Sequence, residues 1–541
     1  MVNVILSKAL SLLKENKLSE AKEYLLSMEE EDTQALSLLF KIYMHENDFK
    51  GAYEVINKLA NLKPEDHDVV FTAIEFLELN QDYPSIVALL QKHMSFNASL
   101  DSLFNLGFYA RKAGLAELSL DSFKRVSLNA TSKAADIYLN EALVYSELLN
   151  DYEEALALLL ESISVYPQNI DLRINLLNLY EQLGEREKAK SLVDQILKID
   201  PNNLTALYRL ADLLDFSKEV PENYETLCLT ALESNQADEY ASCDIYYSLG
   251  KAFDEARDYQ RAWHYYNKAN LLDEKLLPAF DRKQQEHITS ATLARKLQSK
   301  TPSIEHKVTP IIICGMFRSG STLIEKVITS SGRIAMGGEV DFLHRHLFNL
   351  IGSNDFNDYV DKEEFRENYQ ALLSQFSKGA SLITDKRPEN YLYVDVIKSF
   401  YPNAKVIWTD RDIKDNALSA YFQRLGPNLN YATSLDNTVY HYEMMQQIKS
   451  KWENDYPGDI FTLDYDEFVN QPSAVINELY EFLGMSYENE LNYFYKEPSR
   501  IQTASVWQVR KPIYKTSHKR YLNYKSWIEK SNVFSYFKSL F

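Results

Sequence analysis

Ile311-Ile312-Ile313-Cys314-Gly315-Met316-Phe317-Arg318-Ser319-Gly320-Ser321-Thr322, followed by Leu323-Ile324-Glu325-Lys326-Val327-Ile328, decides the reading of the C-terminal half of this 541-residue chain. The β-branched apolar run reads as a buried parallel strand, and the apolar pattern after Thr322 reads as a helix. A Gly-bounded polar loop between them turns backbone N–H groups and a helix N-terminus onto an anion. In the nucleotide-triphosphatase loop G-x-x-x-x-G-K-[ST], a lysine precedes the final hydroxyl residue. Here Ser321 stands in that place and the positive charge is Arg318, inside the loop, which speaks against a kinase or nucleotide hydrolase. A second strand-like run, Ala404-Lys405-Val406-Ile407-Trp408-Thr409, leads into Asp410-Arg411, with Ser419 eight residues beyond Arg411. Ligands of open parallel sheets sit outside the carboxyl ends of the strands, so Arg318 and Arg411 can converge on one anion.

The N-terminal half reads differently, because it repeats itself. Asn-Asp-Tyr-Glu-Glu-Ala (150–155) returns as Gly-Glu-Arg-Glu-Lys-Ala (184–189), and Tyr-Pro-Gln-Asn (166–169) as Asp-Pro-Asn-Asn (200–203). Ala155 to Ala189, Pro167 to Pro201 and Phe49 to Tyr83 are each 34 residues apart, with weaker copies at 17–21, 114–118 and 258–262. That is the period of the tetratricopeptide repeat, a helix–turn–helix unit whose apolar face only its neighbours cover. A small Ala lets two helices approach, the preceding Asp, Asn or Gly makes the turn, and Pro ends the helix. A helical pattern over 277–297 and the segment 301–310 read as connector and linker. The expected organisation is multidomain: an all-α tetratricopeptide superhelix over 1–273, a helical connector and linker over 274–307, and an α/β domain with a P-loop-like parallel sheet over 308–541.

Composition bounds the rest. Hydrophobic residues make up 45% and charged residues 25%, an ordinary globular balance, and only 15 Gly and 15 Pro leave room for much helix. No apolar run approaches the ~20 residues of a membrane span, and no secretory signal is visible at the N-terminus. Three cysteines (Cys228, Cys243, Cys314) fit neither a disulfide framework nor a zinc site, so a reducing cytoplasm is the expected setting. The net charge of −20 disfavours nucleic acid and anionic membrane. Residues 1–307 carry −17 of it, 308–541 carry −3, and 496–541 alone carry +8, a basic tail available to a local anion. No metal cluster is legible: Asp464 and Asp466 read as turn or surface acids. The array could hold a protein or peptide, a second copy of the chain as a homo-dimer, or only the neighbouring domain.

Gly-Met-Phe-Arg-Ser-Gly-Ser-Thr-Leu (315–323), Gly-Gly-Glu (337–339), Asp-Lys-Arg-Pro (385–388), Arg-Asp-x-x-x-Asn-Ala-Leu-Ser-x-Tyr-Phe-Gln (411–423) and Thr-Ala-Ser-x-x-Gln-Val-Arg-x-Pro-Ile-Tyr (503–514) occur in order. Together they resemble sulfotransferases that use 3′-phosphoadenosine-5′-phosphosulfate (PAPS) and release adenosine 3′,5′-bisphosphate. The likeness is greatest to bacterial proteins that fuse tetratricopeptide repeats to a domain similar to tyrosylprotein sulfotransferases. The resemblance implies the sulfotransferase fold, with Arg318, Ser319, Gly320, Ser321 and Thr322 on the 5′-phosphosulfate and Arg411 and Ser419 on the 3′-phosphate. It also implies Tyr465, Ser505 and a basic residue near Arg520 as further donor contacts, Glu339 as catalytic base, Lys386 near the bridging oxygen, and no metal. Phe317, Ser321 and Ile413 depart from the family pattern without removing a charge. Two readings remain beside this one. His344 and His346 are rival bases, and a repeat adaptor with a non-catalytic nucleotide-binding domain is the rival function.

Overall fold

Alternation along two central strands builds the C-terminal core, and the architecture follows from it. In a computed structural model of the chain, strand β1 is Thr309–Gly315, β2 Leu382–Lys386, β3 Lys405–Asp410 and β4 Ile460–Asp464. The structure describes residues 2–28, 32–129, 133–218, 221–234, 238–297, 308–495, 510–513, 518–530 and 534–541. Ile312, Cys314, Val406 and Trp408 join one buried cluster, while Ile311, Ile313 and Ile407 join another on the opposite face. Successive side chains of a strand point to opposite faces, so a run apolar at every position needs cover on both. The four strands pair in parallel in the order β2-β1-β3-β4. Their register aligns Ile313 with Lys386, Gly315 with Thr409, and Asp410 with Asp464, so the carboxyl ends of all four strands meet along one edge.

Two compact units are present, Met1–Leu179 and Tyr180–Phe541. The first is wholly helical. Its second helices begin at Leu18, Phe49, Tyr83, Ala116 and Tyr152, where the repeat predicts them. Asn47, Gln81 and Asn150 take positive φ at the turns, and Asp48, Asp82 and Asp151 then cap the helix by accepting a backbone N–H at 3.0–3.2 Å. Ala21, Ala52 and Ala155 are 0% exposed, the close helix contact the repeat requires.

The second unit holds further helical pairs, with Ala189 and Ala262 again fully buried, together with the sheet and its helices. The change of architecture falls between helix Arg282–Ala294 and β1, yet the boundary between compact units falls earlier, within helix Ile170–Leu183. The cause is direct packing of the last repeat on the α/β part. Tyr266 stacks on Phe422 at 3.9 Å between centroids, and the Asn270 amide donates to the Tyr421 carbonyl at 2.7 Å. The connector helix is shorter than the 277–297 pattern predicts: helix Tyr259–Leu276 ends before Pro278, and Asp281 caps a new start at Arg282. Residues 298–307 of the expected linker lie outside the described residues. Among the described residues, no helix is long and apolar enough to cross a membrane.

Candidate functional site

The loop after β1 closes on itself before it can face a ligand. Ser319 is 0% exposed, and its hydroxyl lies 2.6 Å from both the Met316 carbonyl and Thr409 Oγ1. That side chain braces the loop against β3. Arg318 sits at φ +70°, a conformation costly for a residue with a Cβ and typical of strained functional loops. Gly320 (φ +100°) caps helix Ser321–Thr329, and a Cβ there would lie 2.4 Å from Tyr465. Only glycine lets that ring close over the loop. Ser321 and Thr322 open the helix, whose first N–H groups have no intrahelical acceptor.

Tyr465 follows β4, and Arg411 follows β3. The Arg411 guanidinium lies 4.9 Å from the Tyr465 ring centre and donates toward the Arg318 carbonyl at 3.4 Å. Ser419, two turns into helix Ile413–Tyr421, accepts from Arg318 Nε at 3.2 Å. Arg318, Gly320, Arg411, Ser419 and Tyr465 therefore meet at the carboxyl ends of β1, β3 and β4. Two guanidinium groups, a hydroxyl and an aromatic face at a helix N-terminus suit a nucleotide with phosphate at two positions. Asn416, one turn before Ser419, adds a buried amide whose oxygen and nitrogen have no protein partner among the described residues.

The Gly-Gly-Glu segment reaches the same edge from the other side. Ala335 bridges to Ile383 in parallel, the Thr384 N–H donates to the Ala335 carbonyl, and the Lys386 N–H donates to the Gly338 carbonyl, both at 2.9 Å. Residues 335–338 thus cover the free edge of β2. A Cβ on Gly337 would lie 1.9 Å from the Thr384 carbonyl oxygen, so this approach requires glycine. The outcome is an ion pair, Lys386 Nζ to Glu339 Oε1 at 2.6 Å, in which the lysine is 1% and the glutamate 39% exposed. Asp385 points the other way and accepts from Tyr369 at 2.6 Å and Asn390 at 2.7 Å; burial pushes its carboxyl up to about 6 against those bonds. His344 and His346 face hydroxyls of Tyr393 and Tyr359 at 3.2 and 3.1 Å, and burial lowers both imidazoles below their ordinary value.

Residues 310–489 match the family model described as Sulfotransferase family, and residues 148–214 match a Tetratricopeptide repeat model. Residues 310–489 form a sulfotransferase-family domain. An "Uncharacterized protein" of Aquifex aeolicus (strain VF5) is 28% identical over 69% of this chain and 51% of its own length. The chain thus spans about half the length of that relative. A "Putative protein-tyrosine sulfotransferase" of Caenorhabditis briggsae is 24% identical over 34% of this chain and 67% of its own. Among solved structures, the sulfotransferase domain of the Synechococcus PCC 7002 olefin synthase aligns at TM-score 0.32 and 17% identity, covering 42% of this chain and 91% of that one.

Arg520 lies beyond the matched segment 310–489. Arg520 pairs with Asp254 of the last repeat and lies over the Phe422 ring, so its charge is engaged there. Ser505, with most of the 503–514 motif, lies outside the described residues. Asp464 caps helix Tyr465–Asn470, as a turn acid does. Asp466 instead gathers with Asp415 and His518, ligand atoms within 4.8 Å of one another, a grouping hidden by sequence separation. Its carboxylates already accept from protein donors: Asp466 from the Asp412 N–H and from His518, Asp415 from the Tyr521 N–H. Sequence reasoning also missed Glu325 and Thr384. The signal for Glu325 was a glutamate set inside Leu-Ile-Glu-Lys-Val-Ile, where a buried helix face is expected to be apolar.

Proposed function

We propose that this chain transfers a sulfuryl group from PAPS to an acceptor hydroxyl, with protein tyrosine as the acceptor class. A sulfotransferase-family domain implies sulfonate transfer in general. The nucleotide donor is supported by one observation above all, the Arg318–Ser419–Arg411 cradle at the carboxyl ends of β1 and β3, with Tyr465 beside it. Arg411 and Ser419 would bind the 3′-phosphate. Arg318 and the loop N–H groups of residues 319–322 would bind the phosphosulfate. The Lys386–Glu339 pair supplies the chemistry at the same edge. Glu339 would accept the hydroxyl proton as the oxygen attacks sulfur in line. Lys386 would receive the charge left on the 5′-phosphate oxygen when the bridging S–O bond breaks. The tyrosine acceptor is supported by the likeness to the Caenorhabditis briggsae relative described as a protein-tyrosine sulfotransferase.

The repeats would bind a protein or peptide, as their family match suggests. Three buried free cysteines accord with a reducing, cytoplasmic setting.

Calorimetry tests the donor. Adenosine 3′,5′-bisphosphate is expected to bind at micromolar levels and ATP at least about tenfold more weakly. Arg411→Ala should cost the bisphosphate about ten- to a hundredfold, the range of hydrogen bonds to a charged group. Equal affinities for the two nucleotides would overturn the reading.

A further inference from the structure

Glu325 is a buried carboxylate whose Oε1 takes two hydrogen bonds. It lies in helix Ser321–Thr329, directly behind the phosphate loop, and is 3% exposed. Its Oε1 accepts from Thr384 Oγ1 at 2.7 Å and from the Gly338 N–H at 3.0 Å. Burial raises its carboxyl above the ordinary value; Lys386 and those two bonds oppose the rise, and Glu339 adds to it. Thr384 is the relay, its hydroxyl donating a hydrogen bond to Glu325 while accepting one from the Gly337 N–H at 3.0 Å. Two residues along β2 from Thr384, on the same strand face, comes Lys386.

Glu325 therefore bonds to the turn before Glu339 and to the strand that carries Lys386, whose charge favours its ionised form. It holds the Gly337-Gly338 turn that carries Glu339, and its charge acts on the ammonium of Lys386. The bonds alone do not explain a glutamate. A glutamine could accept the same two at the same place and avoid burying a charge. What the carboxylate adds is negative charge beside a lysine that is itself 1% exposed.

We infer that Glu325 is a positioning residue of the transfer site, whose buried carboxylate fixes the Glu339 turn and serves Lys386 as its second counter-charge. The inference rests on the proposed function, because the second counter-charge matters when Glu339 takes up the acceptor proton. At that point Glu339 becomes neutral and Lys386 loses its 2.6 Å partner. Glu325 then remains, and Lys386 is held in place to meet the leaving phosphate.

Turnover can be read without the natural acceptor, as release of p-nitrophenol from p-nitrophenyl sulfate in the presence of adenosine 3′,5′-bisphosphate. The S–O bond to the phenol breaks, a new S–O bond forms to the 5′-phosphate oxygen, and the phenolate takes a proton that Glu339 has drawn from water, the reverse of the forward transfer. In Glu325→Gln, kcat is expected to fall about ten- to a hundredfold, while KM and the bisphosphate Kd from calorimetry stay within about twofold. An unchanged kcat overturns the inference. So does a rise of Kd and KM in step with a falling Tm, the mark of a merely structural residue. Should Glu325→Gln fail to fold, Thr384→Val, which removes the relay hydroxyl, is judged by the same criteria. If the wild type binds the bisphosphate but moves no sulfuryl group, the enzymatic reading fails and this inference falls with it. Wild-type turnover matched by undiminished turnover in the variant removes the inference alone.

Discussion

Glu339 and Lys386 are 47 positions apart, and backbone pairing rather than side-chain attraction brings them together. Residues 335–338 lie along the edge of β2, so the register delivers Glu339 to the end of the strand where Lys386 stands. Glu339→Gln keeps an acceptor for the lysine and loses the base. Sulfuryl exchange in that variant is expected to fall about a hundredfold or more while the bisphosphate Kd is unchanged, within the range for general bases. Retained exchange would pass the role elsewhere. His344 would be a poor heir, its Nδ1 facing the Tyr393 hydroxyl at 3.2 Å and its imidazole lowered by burial. At this scale the sequence was legible where chemistry is local: the loop, its arginine and the arginine after β3 all follow strands that their own apolar runs announce. Glu325 was not legible, because its partners Gly338 and Thr384 lie 13 and 59 positions away and only the fold selects them. The inward turn of the Ser319 hydroxyl was hidden for the same reason.

Elements show a second kind of limit. The 34-residue period marked the helical pairs: a left-handed turn residue recurs at Asn47, Gln81, Asn150 and Gly184, a capping Asp at Asp48, Asp82 and Asp151, and a buried Ala at Ala52, Ala155 and Ala189. The connector reads as one continuous pattern in the sequence, because periodicity alone runs through Pro278 and the Asp281 cap that restart the helix. Helix Arg282–Ala294 then packs on helix Leu435–Asp455 through His441, whose Nδ1 meets Gln285 Oε1 at 2.9 Å and whose ring stacks on Tyr431. Burial lowers this imidazole to about 4. Between pH 6.5 and 4 the unfolded chain takes up a proton that the folded one refuses. Stability from this group is complete above pH 6.5 and is lost as pH falls toward 4. The loss amounts to about 2 kcal/mol once partial exposure is allowed for. His441→Gln, which keeps a donor for Gln285 but does not titrate, should be less stable than wild type at pH 7 and draw level on acidification. Unfolding midpoints at pH 7, 5.5 and 4 measure this, and a constant gap would refute it.

For the whole molecule, the change of architecture is not the boundary between its compact units. Sequence character changes near residue 308, but the last repeats belong to the same compact unit as the sheet. Asp254 accepts from both Arg520 and Tyr524, and Asn270 donates to the carbonyl ending helix Ile413–Tyr421, the helix that carries Ser419. These pairs are 151 to 270 positions apart, and no local pattern encodes them. The same joint bears on Arg520, which the family resemblance implies is a donor contact and the structure pairs with a repeat. The two roles separate experimentally. As a joint, Asp254→Ala and Arg520→Met should each lower the unfolding midpoint of this unit. Asp254→Ala should cost about 2 kcal/mol, less than a fully buried pair because Arg520 is 28% exposed. The double variant should lose less than the sum, since each single change strands the same partner. Bisphosphate affinity should then fall alike in both single variants, following the loosened helix rather than the lost charge. Were Arg520 instead a direct phosphate contact, Arg520→Met alone would weaken the nucleotide, and Asp254→Ala, by freeing the guanidinium, would leave binding intact or tighten it.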